Sequence, residues 1–361
     1  MSYILSTGIQ TADYHYTQSE IQKLVHRVFP MSNHEKNRLM PIFEHADIER
    51  RQLSAELSWY EKGHSLKESN ELYHASALRY CAQAIRKCLS SQEFLTQAID
   101  PNLIDHMIVV SSTGILTPTL DAYLIDELGC KQSIKRTPIF GLGCAGGTSA
   151  IAKAHEYLQG AKKSNVLVVC VELCSLTFQP NDSSVSNFVG TALFGDGASA
   201  VLMAGEASPL VGRQTATVPK IEHVSTRTKP QSQSVMGWKV VNTGFEVVFN
   251  KSIPNLVRNF WFVHVQDFLQ QMDWDIEQLP FLVAHPGGKK VLEAYEDVWN
   301  LPKSALDFSK NILRGHGNMS SPTVHFVLEQ AMKSNPDRKT RSIMASLGPG
   351  FTSELVSLEW S

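Results

Sequence analysis

Pro138-Ile139-Phe140-Gly141-Leu142-Gly143-Cys144-Ala145-Gly146-Gly147-Thr148-Ser149-Ala150 is the stretch that decides how this chain folds. Ile139 to Leu142 has strand character, a glycine ends it, and a cysteine follows at once. Ile151, Ala154, Tyr157 and Leu158 then keep the helical repeat, giving one apolar face over about four turns. Cys144 is therefore expected on a sharp strand-to-helix turn, where free N–H groups and the helix dipole favour a thiolate. The glycines around it let a substrate or another backbone come close. A small cysteine buried in a glycine-rich turn is the competing reading, and the rest of the chain decides between them.

A chain of 361 residues is long for one core and suits two packed halves, which we place at 1–215 and 216–361. Hydrophobic residues make up 43% and charged residues 19%, so a large core under a modestly charged surface is expected. A net charge of -2 argues against a nucleic-acid binder. Cys81, Cys88, Cys130, Cys144, Cys170 and Cys174 fit neither zinc spacing nor a small disulfide framework, so no metal is expected. The N-terminus reads as a first strand with no cationic stretch before a long apolar segment. There is no run of apolar residues long enough to span a bilayer. These features predict a cytoplasmic protein with reduced thiols.

Along the chain, helices are predicted over 18–29, 70–89, 121–128, 253–269, 289–299 and 322–333, and strands over 107–110, 166–171, 198–203, 281–284, 342–347 and 355–360. Lys36, Arg38, Arg50 and Arg51 cluster with His34 and His45, either as a solvated face or as a landing site for a phosphorylated carrier. Residues 206–235 are polar, with three prolines, and read as the joint between halves. Strands alternating with helices imply an α/β fold with much parallel sheet. Cys144, His285 and Asn318 each stand at a strand or turn end followed by a helix, and groups so placed converge on one crevice. A histidine and an asparagine can stabilise a thiolate and supply donors to the oxyanion of acyl transfer.

Gly143-Cys144-Ala145-Gly146-Gly147, Ala192-Leu193-Phe194-Gly195-Asp196-Gly197-Ala198, Ala284-His285-Pro286-Gly287-Gly288, Gly317-Asn318-Met319-Ser320-Ser321 and Gly348-Pro349-Gly350 together resemble the type III polyketide synthases, relatives of chalcone synthase. The resemblance implies a thiolase fold of two duplicated αβαβα halves, a homodimer, and a Cys144-His285-Asn318 centre. Malonyl-CoA and an acyl-CoA would be the substrates, with no bound cofactor. Cys144 would carry the acyl group, while His285 and Asn318 hold the malonyl thioester oxygen during decarboxylation. Phe194 matches the family's gatekeeping phenylalanine, and the cavity would also involve Ser112, Thr113, Thr117, Cys174, Trp238, Ser320, Gly348 and Pro349.

Departures from the plant enzymes carry the substrate argument. A second gatekeeping phenylalanine falls on Val247, and Thr117 and Cys174 are small, so the cavity is expected to be open to a long chain. With Glu172-Leu173-Cys174-Ser175 and Met236-Gly237-Trp238, this looks like bacterial members that make alkylpyrones or alkylresorcinols from fatty acyl starters. Trp238 is either the end of the tunnel or a core residue. The plant residues that grip coenzyme A phosphates map poorly: Arg38 is one match, Pro41 and His45 stand at the others, and Arg50 or Arg51 could take over. Three alternatives remain: a ketoacyl-carrier-protein synthase III performing one condensation, a hydroxymethylglutaryl-CoA synthase using Glu246, and a thiolase-like protein that only binds acyl-CoA.

Overall fold

The computed structural model describes residues 1–361 apart from 251, 300 and 303. Its frame is a ten-stranded mixed sheet in the order Val283–Ala284, Arg341–Gly348, Thr352–Trp360, Pro219–Ile221, Ser2–Thr11, Asp196–Gly205, Asn165–Leu173, His106–Val110 and Lys135–Ile139, with Val224–Thr228 also paired to Thr352–Trp360. Asn165–Leu173 and Asp196–Gly205 are buried at every position. Both their faces are covered, which explains continuous apolar runs in place of alternation. The helices Leu66–Leu89, Gly146–Gly160 and Thr323–Lys333 pack against this sheet.

The polar joint turns out to be structural. Pro219–Ile221 pairs on one side with Ser2–Thr11 (Ser2 opposite Ile221) and on the other with Thr352–Trp360 (Glu359 opposite Lys220). It thus welds the strands of the first half to those of the second. The strand expected at Ile139 to Leu142 lies earlier, at Lys135–Ile139, on the sheet's edge. Beyond it Gly141 N donates to Ser112 Oγ at 3.2 Å instead of joining a ladder, and Phe140 stands 61% exposed.

Two features that the sequence reading did not give border the site. One is the hairpin Met236–Val241 and Gly244–Phe249, which stands apart from the main sheet. The other is an apolar cluster under the Gln18–Val28 helix, where Ile21, Leu24 and Val25 meet Phe29, Phe43 and Phe188. Phe188 takes Phe29 and Phe43 edge-on at 5.4 and 5.6 Å, contacts worth about 0.5–1.5 kcal/mol each beyond burial. Among the described residues no helix is long and apolar enough to cross a membrane.

Candidate active site

Cys144 sits in the single tight turn Gly143–Ala145 that opens the Gly146–Gly160 helix. Its sulfur lies 3.8 Å from Asn318 Oδ1 and 3.9 Å from Asn318 Nδ2. The Asn318 amide is itself fixed: Ser320 N–H donates to Oδ1 at 2.7 Å, and Nδ2 donates to the Gly287 carbonyl at 3.3 Å. Gly287 belongs to the turn after His285, whose own N–H is tied to Ala345 O at 2.8 Å. The fold therefore brings Cys144 and Asn318 side by side and ties the turn after His285 to the Asn318 amide.

Neither ring nitrogen of His285 has a hydrogen-bond partner, although the residue is only 2% exposed. Burial pushes its pKa down to about 3. Burial also pushes the Cys144 thiol up, to about 11, with Ser320 and Asn318 pulling it back down and Glu172 adding to the rise. Each group alone thus prefers to be neutral. Buried polar atoms are normally satisfied. A ring with two free nitrogens beside an amide donor is suited to an incoming oxyanion.

Glu172 was quoted in the sequence reading only as part of a placement block, yet it is the polar knot beneath the site. It is fully buried and accepts from Ser112 N and Thr113 Oγ1, both at 2.9 Å, and from Ser321 Oγ at 3.2 Å. Burial raises its carboxyl to about 7 against those hydrogen bonds. The available signal was a carboxylate near the end of an otherwise apolar strand.

Phe194 packs against Trp238 at 5.7 Å and Phe249 at 5.6 Å between ring centroids. Trp238 stands directly opposite Val247 in the hairpin. On the hairpin side the gate ring is thus flanked by two aromatic rings. Val247, Cys174 and Phe194, with Ile21, Leu24 and Val25, line a cavity of about 50 Å³. Pro349 packs over Gly143, and Gly348 against Ala145. Ser320 and Thr113 are buried beside the centre, with Ser320 among the groups that lower the Cys144 pKa.

Some expected residues are elsewhere. Thr117 is exposed, in the loop between the strand His106–Val110 and the helix Leu120–Leu128, and is not among the residues that line the cavity. Arg51 is corrected outright as a phosphate ligand: it is 1% exposed and donates to backbone carbonyls. Along the strand Arg50–Leu53 Arg50 alone is exposed, while Arg51, Gln52 and Leu53 are buried. Arg38 and Arg50 are exposed. Glu246 pairs with Lys239 across the hairpin at 3.4 Å.

The family descriptions "Chalcone and stilbene synthases, N-terminal domain" and "Chalcone and stilbene synthases, C-terminal domain" match residues 18–207 and 220–359. A Bacillus subtilis (strain 168) protein with the provisional name chalcone synthase is 38% identical over 361 residues, covering 100% of this chain and 99% of its own. The 1,3,6,8-tetrahydroxynaphthalene synthase of Streptomyces peucetius subsp. caesius is 34% identical over 346 residues, 96% and 89% of the two chains. The crystal structure of 1,3,6,8-tetrahydroxynaphthalene synthase from Streptomyces coelicolor A3(2), described as a bacterial type III polyketide synthase, is similar at a TM-score of 0.91 and 25% identity over 100% and 99% of the chains. With both halves matched in order, the protein belongs to the chalcone and stilbene synthase family, the type III polyketide synthases: thiolase-fold acyltransferases that work on coenzyme A thioesters and need no further cofactor.

Proposed function

We propose that this synthase starts on fatty acyl-CoA and makes alkylpyrones, alkylresorcinols or both. The observation that carries the reading is the apolar cavity that leads from Cys174 and Phe194 to Ile21, Leu24 and Val25. A saturated tail has no polar group to recognise, so burial alone would hold it, at about 0.8 kcal/mol per CH₂. The Cys144 thiolate attacks the starter thioester and coenzyme A leaves. Malonyl-CoA then binds with its thioester oxygen toward His285 and Asn318. Carbon dioxide departs, and the electron pair left behind becomes an enolate whose oxygen those groups stabilise. The enolate carbon attacks the acyl-Cys144 carbonyl and the sulfur leaves, lengthening the chain by one ketide unit on coenzyme A. Reloading repeats the cycle before cyclisation. We place the phosphates of coenzyme A near the exposed Arg38 and Arg50. A homodimer would cover the unpaired edge strand Lys135–Ile139 and the exposed Phe140, since uncovered edges invite pairing.

A second reading is a synthase that builds an aromatic ring from malonyl units, as the names of the tetrahydroxynaphthalene and phloroglucinol synthase relatives suggest. A product assay separates them: purified protein, malonyl-CoA, and starters from acetyl- to stearoyl-CoA, read by mass spectrometry with Cys144→Ala as control. Pyrones or resorcinols from long starters, absent in the control, are expected. Products formed equally well with no starter would sink the long-chain reading.

A further inference from the structure

Arg51 is out of reach of any coenzyme phosphate, and its contacts say what it does instead. The Val185–Leu193 helix ends just before Phe194, so its last carbonyls lack intrahelical donors. Arg51 Nη1 donates to Thr191 O at 2.7 Å and to Phe194 O at 2.6 Å. Arg51 Nε donates to Gln18 Oε1 at 3.0 Å, and Gln18 Nε2 donates to Ala192 O at 2.9 Å. One cation and one amide thus satisfy three carbonyls at a helix C-terminus, where the dipole favours positive charge. Both side chains are buried, at 1% and 7% exposure.

The segment so held is paired with Asn318. Asn318 N donates to Leu193 O at 2.9 Å, and Gly195 N donates to Asn318 O at 3.0 Å. Close approach is built into both family motifs. A Cβ on Gly317 would fall 2.6 Å from Leu193 O and 2.8 Å from Arg51 Cδ, and one on Gly195 would fall 2.3 Å from His316 O. We infer that Arg51 and Gln18 are positioning residues for decarboxylation: by pinning Thr191 to Phe194 they hold the Asn318 amide and the Phe194 ring in place against the malonyl thioester. The inference rests on Asn318 being a group that holds that thioester oxygen.

The test compares wild type with Arg51→Lys, Gln18→Met and Asn318→Ala. Lysine keeps the charge but loses the planar fork that reaches two carbonyls and Gln18 together. Methionine keeps the length of Gln18 and removes its amide. Two rates are read: malonyl-CoA decarboxylation without starter (kcat and KM), and alkylation of Cys144 by iodoacetamide. A misplacement of about 1 Å costs roughly a hundredfold, so a partly released Asn318 should cost about tenfold in decarboxylation kcat, with KM little changed. Alkylation should fall less than decarboxylation, because Ser320 as well as Asn318 lowers the Cys144 pKa and neither clamp residue bonds to the turn carrying it among the described residues. If Asn318→Ala is inactive while both clamp variants decarboxylate like wild type, the clamp role is wrong. It is also wrong if alkylation and decarboxylation fall in the same proportion, which is general loosening. Asn318→Ala working at the wild-type rate would instead remove the assignment of Asn318, and the clamp's role with it.

Discussion

Replacing Leu24 with phenylalanine should shorten the acyl chain that this synthase accepts. Leu24 is 3% exposed and forms part of the wall of the cavity beyond Cys174. That cavity, about 50 Å³, has room for roughly three to five water-sized groups. Each methylene moved there from water gains about 0.8 kcal/mol, close to fourfold in kcat/KM. Wild-type kcat/KM should therefore climb about fourfold per carbon over a window of roughly three to five carbons, then flatten. A benzyl group in place of the isobutyl group takes most of that space. The longest starters should then lose about 2–4 kcal/mol, or roughly thirty- to a thousandfold, while short starters are unaffected. Leu24→Ala should move the plateau to longer chains at a cost of about 2–5 kcal/mol in stability, so its assay belongs well below its melting temperature. The measurement is kcat/KM against starter length by mass spectrometry of the products. A Leu24→Phe profile parallel to wild type, lowered by one factor at every length, would refute the reasoning, because the ring would then not compete with the chain.

Three further outcomes follow from the same geometry. Cys144→Ala should abolish condensation and leave malonyl-CoA decarboxylation within about tenfold of wild type, since the proposed mechanism assigns the oxyanion to His285 and Asn318; loss of both activities would contradict that division. His285→Ala should strand the Cys144 thiol alone under a burial that pushes it up to about 11, so alkylation near neutral pH should fall by more than about tenfold and keep rising with pH above 9. An unchanged pH profile would show that the imidazole does not share the thiol's proton. Burial raises the Glu172 carboxyl from 4.5 to about 7, so between those values the native state holds a proton that the unfolded chain has released. That contribution is full below 4.5 and is lost as pH rises through about 7, by about 3 kcal/mol in all. Glu172→Gln should accordingly show a flatter melting temperature from pH 5 to about 7.5 than wild type, and parallel curves would rule out a proton on Glu172.

The candidate catalytic residues stood out because their signals are local. Cys144, His285 and Asn318 each sit beside glycines at the end of a strand or turn, and the same close approach that makes the site also forces those glycines into the sequence. Gly317 shows why: Leu193 O and the Arg51 stem leave no room for a Cβ. The central strands were legible for a related reason, since burial on both faces writes an unbroken apolar run. Pro219–Ile221 carries no such mark. It is three residues long and partly polar, and its place is set by its two partners, Ser2–Thr11 and Thr352–Trp360.

Arg51 and Leu24 mark the limit of pattern reading. Nothing in Arg50–Leu53 says which of the paired arginines is buried, and the buried one, Arg51, is engaged through backbone carbonyls that no motif records. A helical period over Gln18–Val28 says that Ile21, Leu24 and Val25 share a buried face, but not whether that face meets a close-packed core or a cavity. Val247 gives part of the answer in the same way. A small residue opens space only together with its neighbours: Val247 lines the cavity with Leu24 and Cys174, while Trp238 and Phe249 pack against the Phe194 ring. Free volume belongs to the whole set of surrounding side chains, so substrate length is a property of the packed wall and not of any one of its residues.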